Sequence, residues 1–499
     1  MWLADWPLPS PSIAAMNAAM AQVHASNSAD RQRLIAAVRD RFGDSAAHTD
    51  QQEIAPWTED WRGRYRGGTD AILAPRSVDE VSAIVTMAGQ LGVPLVPQGG
   101  NTGMVGGATP PVDGSALILS LRRMNRIRSI SAEDNRAVAE AGVILANLHD
   151  EAAKVGRRFP LTLGARGSCT IGGLISTNAG GTQVLRFGTM RALVNGVEAV
   201  LPDGSIHDGL GGLKKDNRGY SLDQLLIGAE GTLGIVTAAS LKLVPAVTSR
   251  AVAWVGLDCP QAALKLLRFL EGRTSQVEGF ELVPYDSLEL VLRHVPGTRS
   301  PTANAHPWHV LVELTAHEGD DDPLALVEEL LGHALGAGLI EDAVIAGSEA
   351  QAEAFWKIRD SISEAERAEG PTLAHDISVA VEAMPDFMMS AAKKVEQAFP
   401  GVIASGFGHL GDGNVHFHVR GGSRARDGWY DEEGAAISGM VHDLVTAAGG
   451  SISAEHGIGQ MKRDELARLA PPGRITALRA IKKALDPKGI MNPGKLVGQ

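Results

Sequence analysis

The chain has little cysteine, few aromatic side chains and a deficit of positive charge. Two cysteines, Cys169 and Cys259, in 499 residues exclude a disulfide framework and a cysteine-built zinc site. Two isolated thiols fit a reducing cytoplasm, which is the expected location. Lys and Arg number 46 against 58 Asp and Glu, a formal net charge of −12. That excludes nucleic acid or an anionic membrane as the main partner, but leaves room for a local basic pocket. No uninterrupted apolar run is long enough to span a bilayer, so no transmembrane segment is expected. Residues 1–28 carry Asp5 and no Lys or Arg, so neither a secretory signal nor a transit peptide is expected there. Met16 and Met20 offer alternative starts to a poorly ordered segment. Aromatics are 4% of the chain, whereas the 44% hydrophobic content is ordinary for a globular protein. By length, about three domains are allowed.

What is present is concentrated in glycine-punctuated stretches. Residues 408–419 read Gly-His-Leu-Gly-Asp-Gly-Asn-Val-His-Phe-His-Val. The alternation after the turn has period two, so His416 and His418 face one side of a strand while Val415, Phe417 and Val419 face the other. His409 precedes the turn within reach of His416, and Glu455-His456 follows downstream. Imidazole plus carboxylate is a ligand set for a divalent transition metal. A lone strand histidine is usually structural, but three in one short stretch favour a site.

Three more glycine loops lie in the first half. Pro97-Gln-Gly-Gly-Asn-Thr-Gly103 follows a strand expected over 93–96, itself preceded by a Ser77–Glu80 capping box and a helix ending at Gly92. The others are 163–181, containing Gly172-Gly173 and Thr177-Asn178-Ala-Gly180-Gly181, and 227–236, containing Glu230-Gly231 and Gly234-Ile235. Such loops present N–H groups to a phosphate, yet none matches a Walker or Gly-x-Gly-x-x-Gly pattern. Together they suit one extended ligand of dinucleotide length. Upstream, a helix is expected over 30–42, and a polar stretch over 48–68 holds Trp57, Trp61, Arg62 and Tyr65.

These loops resemble the flavin-binding domain of the vanillyl-alcohol oxidase/p-cresol methylhydroxylase superfamily, from about Trp57 to the C-terminus. Within it, Gly408–His416, Ala454–Gly459 and Asp486–Lys495 resemble the FAD-linked D-lactate and D-2-hydroxyglutarate dehydrogenases. The resemblance implies an α+β fold: a two-subdomain FAD-binding domain, an α+β substrate (cap) domain and a helical C-terminal segment. Expected boundaries are 1–50 (N-terminal helical segment), 51–246 (FAD domain), 247–452 (cap) and 453–499 (completing the active site). In the cap, elements over 251–345 run β-α-β-β-α-β, the split-βαβ order, with His306 and His309 as structural residues, and one long helix follows over 349–369.

By the same resemblance, FAD contacts Pro97, Gly99, Gly100, Asn101, Thr102, Gly103, Gly172, Gly173, Thr177, Asn178, Gly180, Gly181, Glu230, Gly231, Gly234, Ile235 and Asn492. Some relatives attach FAD through a histidine in the first loop. Asn101 stands there here and Cys169 has no such partner, so FAD is expected to be non-covalent. His409, His416 and Glu455 would hold a divalent metal, Zn2+ by resemblance, that polarises the substrate hydroxyl. His456 is the expected base, since a neutral imidazole accepts a proton near physiological pH. Arg359 matches the carboxylate-binding arginine, against the simpler reading of a surface arginine paired with Asp360 or Glu364. Ser363 stands where the hydroxyglutarate enzymes have a threonine for the distal carboxylate, and His418 is a further metal ligand, a group supporting the ligands or a substrate contact.

Where hydroxyglutarate enzymes have a lysine for the distal carboxylate, this chain has Ala374, with His375 and Asp376 beside it as partial compensation. That favours a smaller or more apolar acid such as D-lactate. The expected reaction is oxidation of a D-2-hydroxy acid to the 2-oxo acid. An electron-transfer flavoprotein, quinone or cytochrome would accept the electrons, and the architecture allows a homodimer. An oxygen-using oxidase of the same fold is the alternative. A metal-dependent hydrolase ranks lower because it leaves the glycine loops without a task.

Overall fold

In the computed structural model, which describes residues 13–213 and 215–498 with side chains from Ser28 onward, three sheets form from the first half of the chain and one from the second. The readings made for residues 1–12, and for side chains before Ser28, lie outside the described residues. The helix expected over 30–42 spans Ile13–Phe42 and buries Leu34, Ile35 and Val38. Ser77 caps helix Val78–Leu91, accepting from the Glu80 N–H at 3.2 Å, and left-handed Gly92 ends it. This helix crosses over between parallel strands, in a sheet ordered Ala47–His48, Ile72–Leu73, Leu117–Ser120, Leu95–Gln98. A second, antiparallel sheet is ordered Ile127–Ser131, Arg136–Glu140, Ile235–Lys242, Val194–Val200, Ile206–Asp208. Arg157–Arg158 pairs with Val244–Pro245 in a short third.

The second half folds around a seven-stranded antiparallel sheet. Its first four strands, Asp342–Ile345, Ser249–Leu257, Trp308–Ala316 and Val277–Pro284, are ordered as a split-βαβ unit would be, with helices Pro260–Glu271 and Pro323–Gly336 packed on them. The sheet does not stop there. Glu281 pairs with His409, adding strands Ile403–His409, Asn414–Arg420 and Thr372–Ser378. This extension joins residues 128 apart in sequence, a pairing that no local pattern encodes.

Register then sorts side chains by face. His409 lies opposite Glu281, Phe407 opposite His416, His416 opposite Asp376 and His418 opposite Ala374. All of these share one face. Val415, Phe417, Val419, Leu373 and Ile377 lie on the other and are buried in the core. The single helix expected over 349–369 is two, Glu349–Asp360 and Ile362–Glu369, with Ser361 ending one and opening the other. Ser361 and Ser363 flank β-branched Ile362, a poor helix interior, and Ile358, Ile362 and Ala365 turn into the same core as Leu288 and Val291.

The C-terminal segment returns to the first half. Leu95 donates to Ile490 O at 2.8 Å and Asn492 donates to Leu95 O at 2.9 Å. The Asp486 carboxylate collects the Ile490 and Met491 N–H groups and Lys482 Nζ.

Glu278 joins the two halves. Its buried carboxylate accepts from Arg158 at 2.5 and 2.6 Å, Arg186 at 3.2 Å and Thr315 Oγ1 at 2.7 Å. Burial alone would raise its pKa, but Arg158, Thr315 and Arg186 outweigh that and hold it below the ordinary carboxylate value. Glu278→Ala leaves two arginines without their acid. It is expected to lower the urea-unfolding free energy by about 3–5 kcal/mol. Because the folded pKa is depressed, this contribution is present above the unfolded-state pKa of about 4.3 and is lost as pH falls through the folded value. The gap between wild type and Glu278→Gln should therefore close in acid and stay constant from pH 6 to 8.

Candidate active site

One cavity of about 880 Å³ carries both sets of residues singled out in the sequence. At one end it is lined by Pro97, Gly99, Gly100, Asn101, Thr102 and Gly103, by Gly172, Gly173, Thr177 and Gly180, and by Glu230, Gly231, Gly234, Ile235 and Asn492. At the other it is lined by Ser363, His416, His418, Glu455 and His456. Asn178, Gly181, Arg359 and His409 are not in the lining. Asn178 accepts from Thr189 Oγ1 and Arg191 N–H, fixing the next turn. A Cβ on Gly181 would meet Thr162 O at 2.3 Å, so this glycine serves packing.

The loop end is built for a close ligand. A Cβ on Gly99 would meet the Thr170 side chain at Oγ1, 2.1 Å away, and one on Gly100 would meet the Ser168 backbone O at 2.0 Å, so the two loops pack directly on each other only because both positions are glycine. Gly103, by contrast, faces open space, and Thr170 Oγ1 and Gln98 Oε1 are buried without a hydrogen-bond partner. Six described non-glycine residues have positive φ, and Asn101, Asn178, Glu230 and Asn492 are four of them. Strain of that kind concentrates at functional sites. These residues fit an extended cofactor.

Glu230 also anchors the C-terminal segment to the loops. Its carboxylate accepts from Ile458 and Gly459 N–H, both at 2.7 Å, and Asn492 Nδ2 donates to Glu230 O at 2.6 Å. Burial pushes its pKa up, against the pull of those N–H groups, Lys462 and Lys495.

At the other end, fully buried Glu281 organises the side chains. It accepts from Arg359 Nε at 2.7 Å and pairs with His409 Nδ1 at 2.6 Å. Burial opposes its charge, but Arg359 and His409 prevail and hold its pKa down to about 2. Arg359 is therefore not a surface arginine: among the described residues its ion pair is with Glu281, while Asp360 acts on it only through its charge, and its terminal nitrogen lies 3.3 Å from His409 Nε2. The His409 and His416 rings stand 5.4 Å apart. His409, His416 and Glu455 each offer a ligand atom within 4.8 Å of the others. Burial, reinforced by Asp376 and Asp412 and opposed by His409 and Arg359, pushes Glu455 up to about 7. His416 is held well below the ordinary imidazole value by burial and by Arg359 and His409. Two nitrogen donors and a desolvated carboxylate are a set that a divalent cation would satisfy.

Asp376 positions the Glu455–His456 backbone. Its carboxylate accepts from the Glu455 and His456 N–H groups, both at 2.9 Å, and from Asn414 Nδ2 at 3.0 Å. It lies 3.6 Å from His456 Nδ1, too far for a hydrogen bond but close enough to attract its charge. Burial nevertheless lowers the His456 pKa. His375 alternates to the opposite face, where Phe417 O and Ser438 Oγ hold its nitrogens, so neither His375 nor the anionic Asp376 replaces a cation at Ala374. His418 pairs with buried Glu366. Sequence reasoning missed Glu281 and Glu366 and the anchoring role of Asp376. The available signal for Glu281 and Asp376 was a lone carboxylate in an apolar strand: Phe280-Glu281-Leu282 and, less cleanly, His375-Asp376-Ile377.

The model of the FAD linked oxidases, C-terminal domain, matches residues 247–496, and that of the FAD binding domain matches 69–209. The chain is 37% identical to the mitochondrial D-2-hydroxyglutarate dehydrogenase of Arabidopsis thaliana, over 91% of this chain and 80% of that one. It is 36% identical to the Bos taurus mitochondrial enzyme of the same name, over 90% and 80%. The chain belongs to the FAD-linked D-2-hydroxy-acid dehydrogenase family. A putative mitochondrial D-lactate dehydrogenase of Schizosaccharomyces pombe is 35% identical, over 90% of this chain and 86% of that one. Among solved structures, p-cresol methylhydroxylase with substrate bound superposes with a TM-score of 0.70 at 16% identity, over 94% of this chain and 97% of that one. The α+β fold of that type is thus borne out, and an FAD-linked oxidoreductase replaces the hydrolase alternative. The cytoplasmic expectation is corrected: the Arabidopsis, Bos and Schizosaccharomyces relatives are mitochondrial proteins, and sparse cysteine fits any reducing compartment equally well.

Glu230→Ala should free two buried N–H groups and cost about 2–4 kcal/mol. Hydrogen exchange at Ile458 and Gly459 should rise well above that of the Arg136–Glu140 strand. Unchanged protection would refute the anchoring role.

Proposed function

We propose that the protein oxidises a D-2-hydroxy acid to the 2-oxo acid, with FAD held non-covalently by the glycine loops and a divalent metal, Zn2+ by family resemblance, held by His409, His416 and Glu455. The observation that carries this reading is the convergence of the loop residues and the His416–Glu455–His456 cluster on one cavity. Bound FAD supplies the acceptor for the two electrons lost at the hydroxyl carbon. A metal on the three ligands supplies polarisation of the substrate hydroxyl. His456 takes the hydroxyl proton at Nε2, since Nδ1 faces Asp376. Arg359 takes the substrate carboxylate by turning from its contact with His409, while Glu281 keeps its Nε in place. Ser363 and His418 line the route to the tail. Glu281 sets the His409 tautomer, leaving Nε2 for the metal.

Non-covalent attachment is supported by Asn101, whose Nδ2 is spent on Glu59 O at 2.8 Å. It is also supported by Cys169, whose thiol burial pushes up to about 11, far from a nucleophile. An external acceptor closes the cycle, which a redox dye replaces in assay.

The purified protein should be yellow and release FAD on denaturation. Chelation should abolish dye reduction by D-2-hydroxy acids, and Zn2+ or Mn2+ should restore it. Full activity of metal-free protein would refute the ligand assignment. His456→Ala should lower kcat by about 10²–10⁴-fold with an unchanged flavin spectrum. Glu281→Gln should weaken metal binding by about 10–100-fold, read by titration of the metal itself.

A further inference from the structure

Three arginines reach the cavity without an acid of their own. Arg62 and Arg64 come from the segment ahead of the first glycine loop. Arg367 comes from helix Ile362–Glu369, one turn beyond Ser363 and on the same side. Among the described residues none of the three forms a salt bridge, in a chain with an excess of acidic groups. Arg62 Nε is buried and has no hydrogen-bond partner. The guanidinium groups rest instead on soft apolar surface: Arg62 lies 5.9 Å from the Trp61 ring centre, and Arg64 lies 5.5 Å from that of Tyr430 and 4.0 Å from Met461 Sδ.

Partly desolvated like charges repel. Burial, then Arg64 and Arg367, push Arg62 down to about 10. An anion among them would relieve this. Arg62 sits on a segment tied to the first glycine loop through Glu59 and is also near enough to act on the charge of His456, so it lies within reach of the histidine cluster. Of the acids in the same lining, Asp360 and Glu364 are exposed, as is Arg367, whereas Glu230 and Asp376 are buried on backbone N–H groups of the C-terminal segment and Glu455 is half-buried beside the histidines.

We infer that Arg62, Arg64 and Arg367 form an anion subsite that takes a second carboxylate at the tail of the substrate. It supplies from another part of the chain the cation that Ala374 lacks. A planar guanidinium matches a carboxylate in charge and in paired geometry, as a single flexible lysine does not. Ala374, opposite His418, then leaves room for the tail to cross to the arginines. The inference rests on the proposed oxidation of D-2-hydroxy acids, and it shifts the specificity read from Ala374 alone, from a small apolar acid toward an anionic-tailed one.

The test is anaerobic flavin bleaching of the FAD- and metal-loaded protein by two five-carbon acids, D-2-hydroxyglutarate and D-2-hydroxyvalerate, which differ in the distal carboxylate. Wild type should favour the dicarboxylate in kcat/KM by at least about tenfold. Arg62→Gln and Arg367→Gln should each lower that preference about tenfold, through KM, with Arg62→Lys restoring part of it. A wild-type preference for hydroxyvalerate, an equal loss on both acids, or loss of FAD from the variants in place of substrate discrimination would each overturn the subsite. Bleaching by hydroxyvalerate alone would do so while leaving the proposed oxidation standing. Bleaching by neither acid would overturn both.

Discussion

The Glu281 carboxylate, buried between Arg359 and His409, is the interaction on which the histidine end of the cavity depends. An ionised carboxylate out of water is tolerated only when cations and hydrogen bonds compensate for lost solvation. Glu281 has both, and their geometry fixes two side chains together. It also sits where the split-βαβ strands meet the added hairpin, opposite His409 in register. One pairing therefore joins the two parts of the seven-stranded sheet and orients a metal-ligand candidate.

Asp376 and Glu230 do a related task on the C-terminal segment. Each is a buried acid that receives two successive backbone N–H groups, at Glu455–His456 and at Ile458–Gly459. The segment carries its own catalytic candidates, yet acids far earlier in the chain hold its backbone in place. One acid belongs to the substrate-side sheet and the other to a glycine loop, so the segment spans both ends of the cavity. Glu278 adds a third tie between the halves, remote from the chemistry. A cavity made from two halves of a chain keeps its shape only if such ties resist opening, because each half packs on a core of its own.

Much of this was legible before any coordinates. Strand parity sent His416 and His418 to one face, the capping box started a helix at Val78, and the three glycine loops, read as suiting one extended ligand, line one cavity. Other readings failed for definable reasons. The 349–369 stretch has helical composition throughout, but packing against helix Tyr285–His294 breaks it at Ser361. His375 was weighed as a compensating cation, and the same period-two rule that placed His416 puts it on the opposite face. The alternative of a surface-paired Arg359 fails too, because its buried partner is a carboxylate 78 positions away.

The sequence by itself determined the inventory: which loops can approach a ligand closely, which residues can bind metal or move a proton, and which face of each strand they share. These are local properties of backbone freedom, side-chain chemistry and period-two alternation. Only the tertiary structure decided the partnerships. Glu281 with Arg359 and His409 and Asp376 with the Glu455–His456 backbone join residues 78 to 128 apart. Such contacts depend on how sheets and returning segments close on one another, and the energy of a buried charge depends on whatever that closure brings beside it.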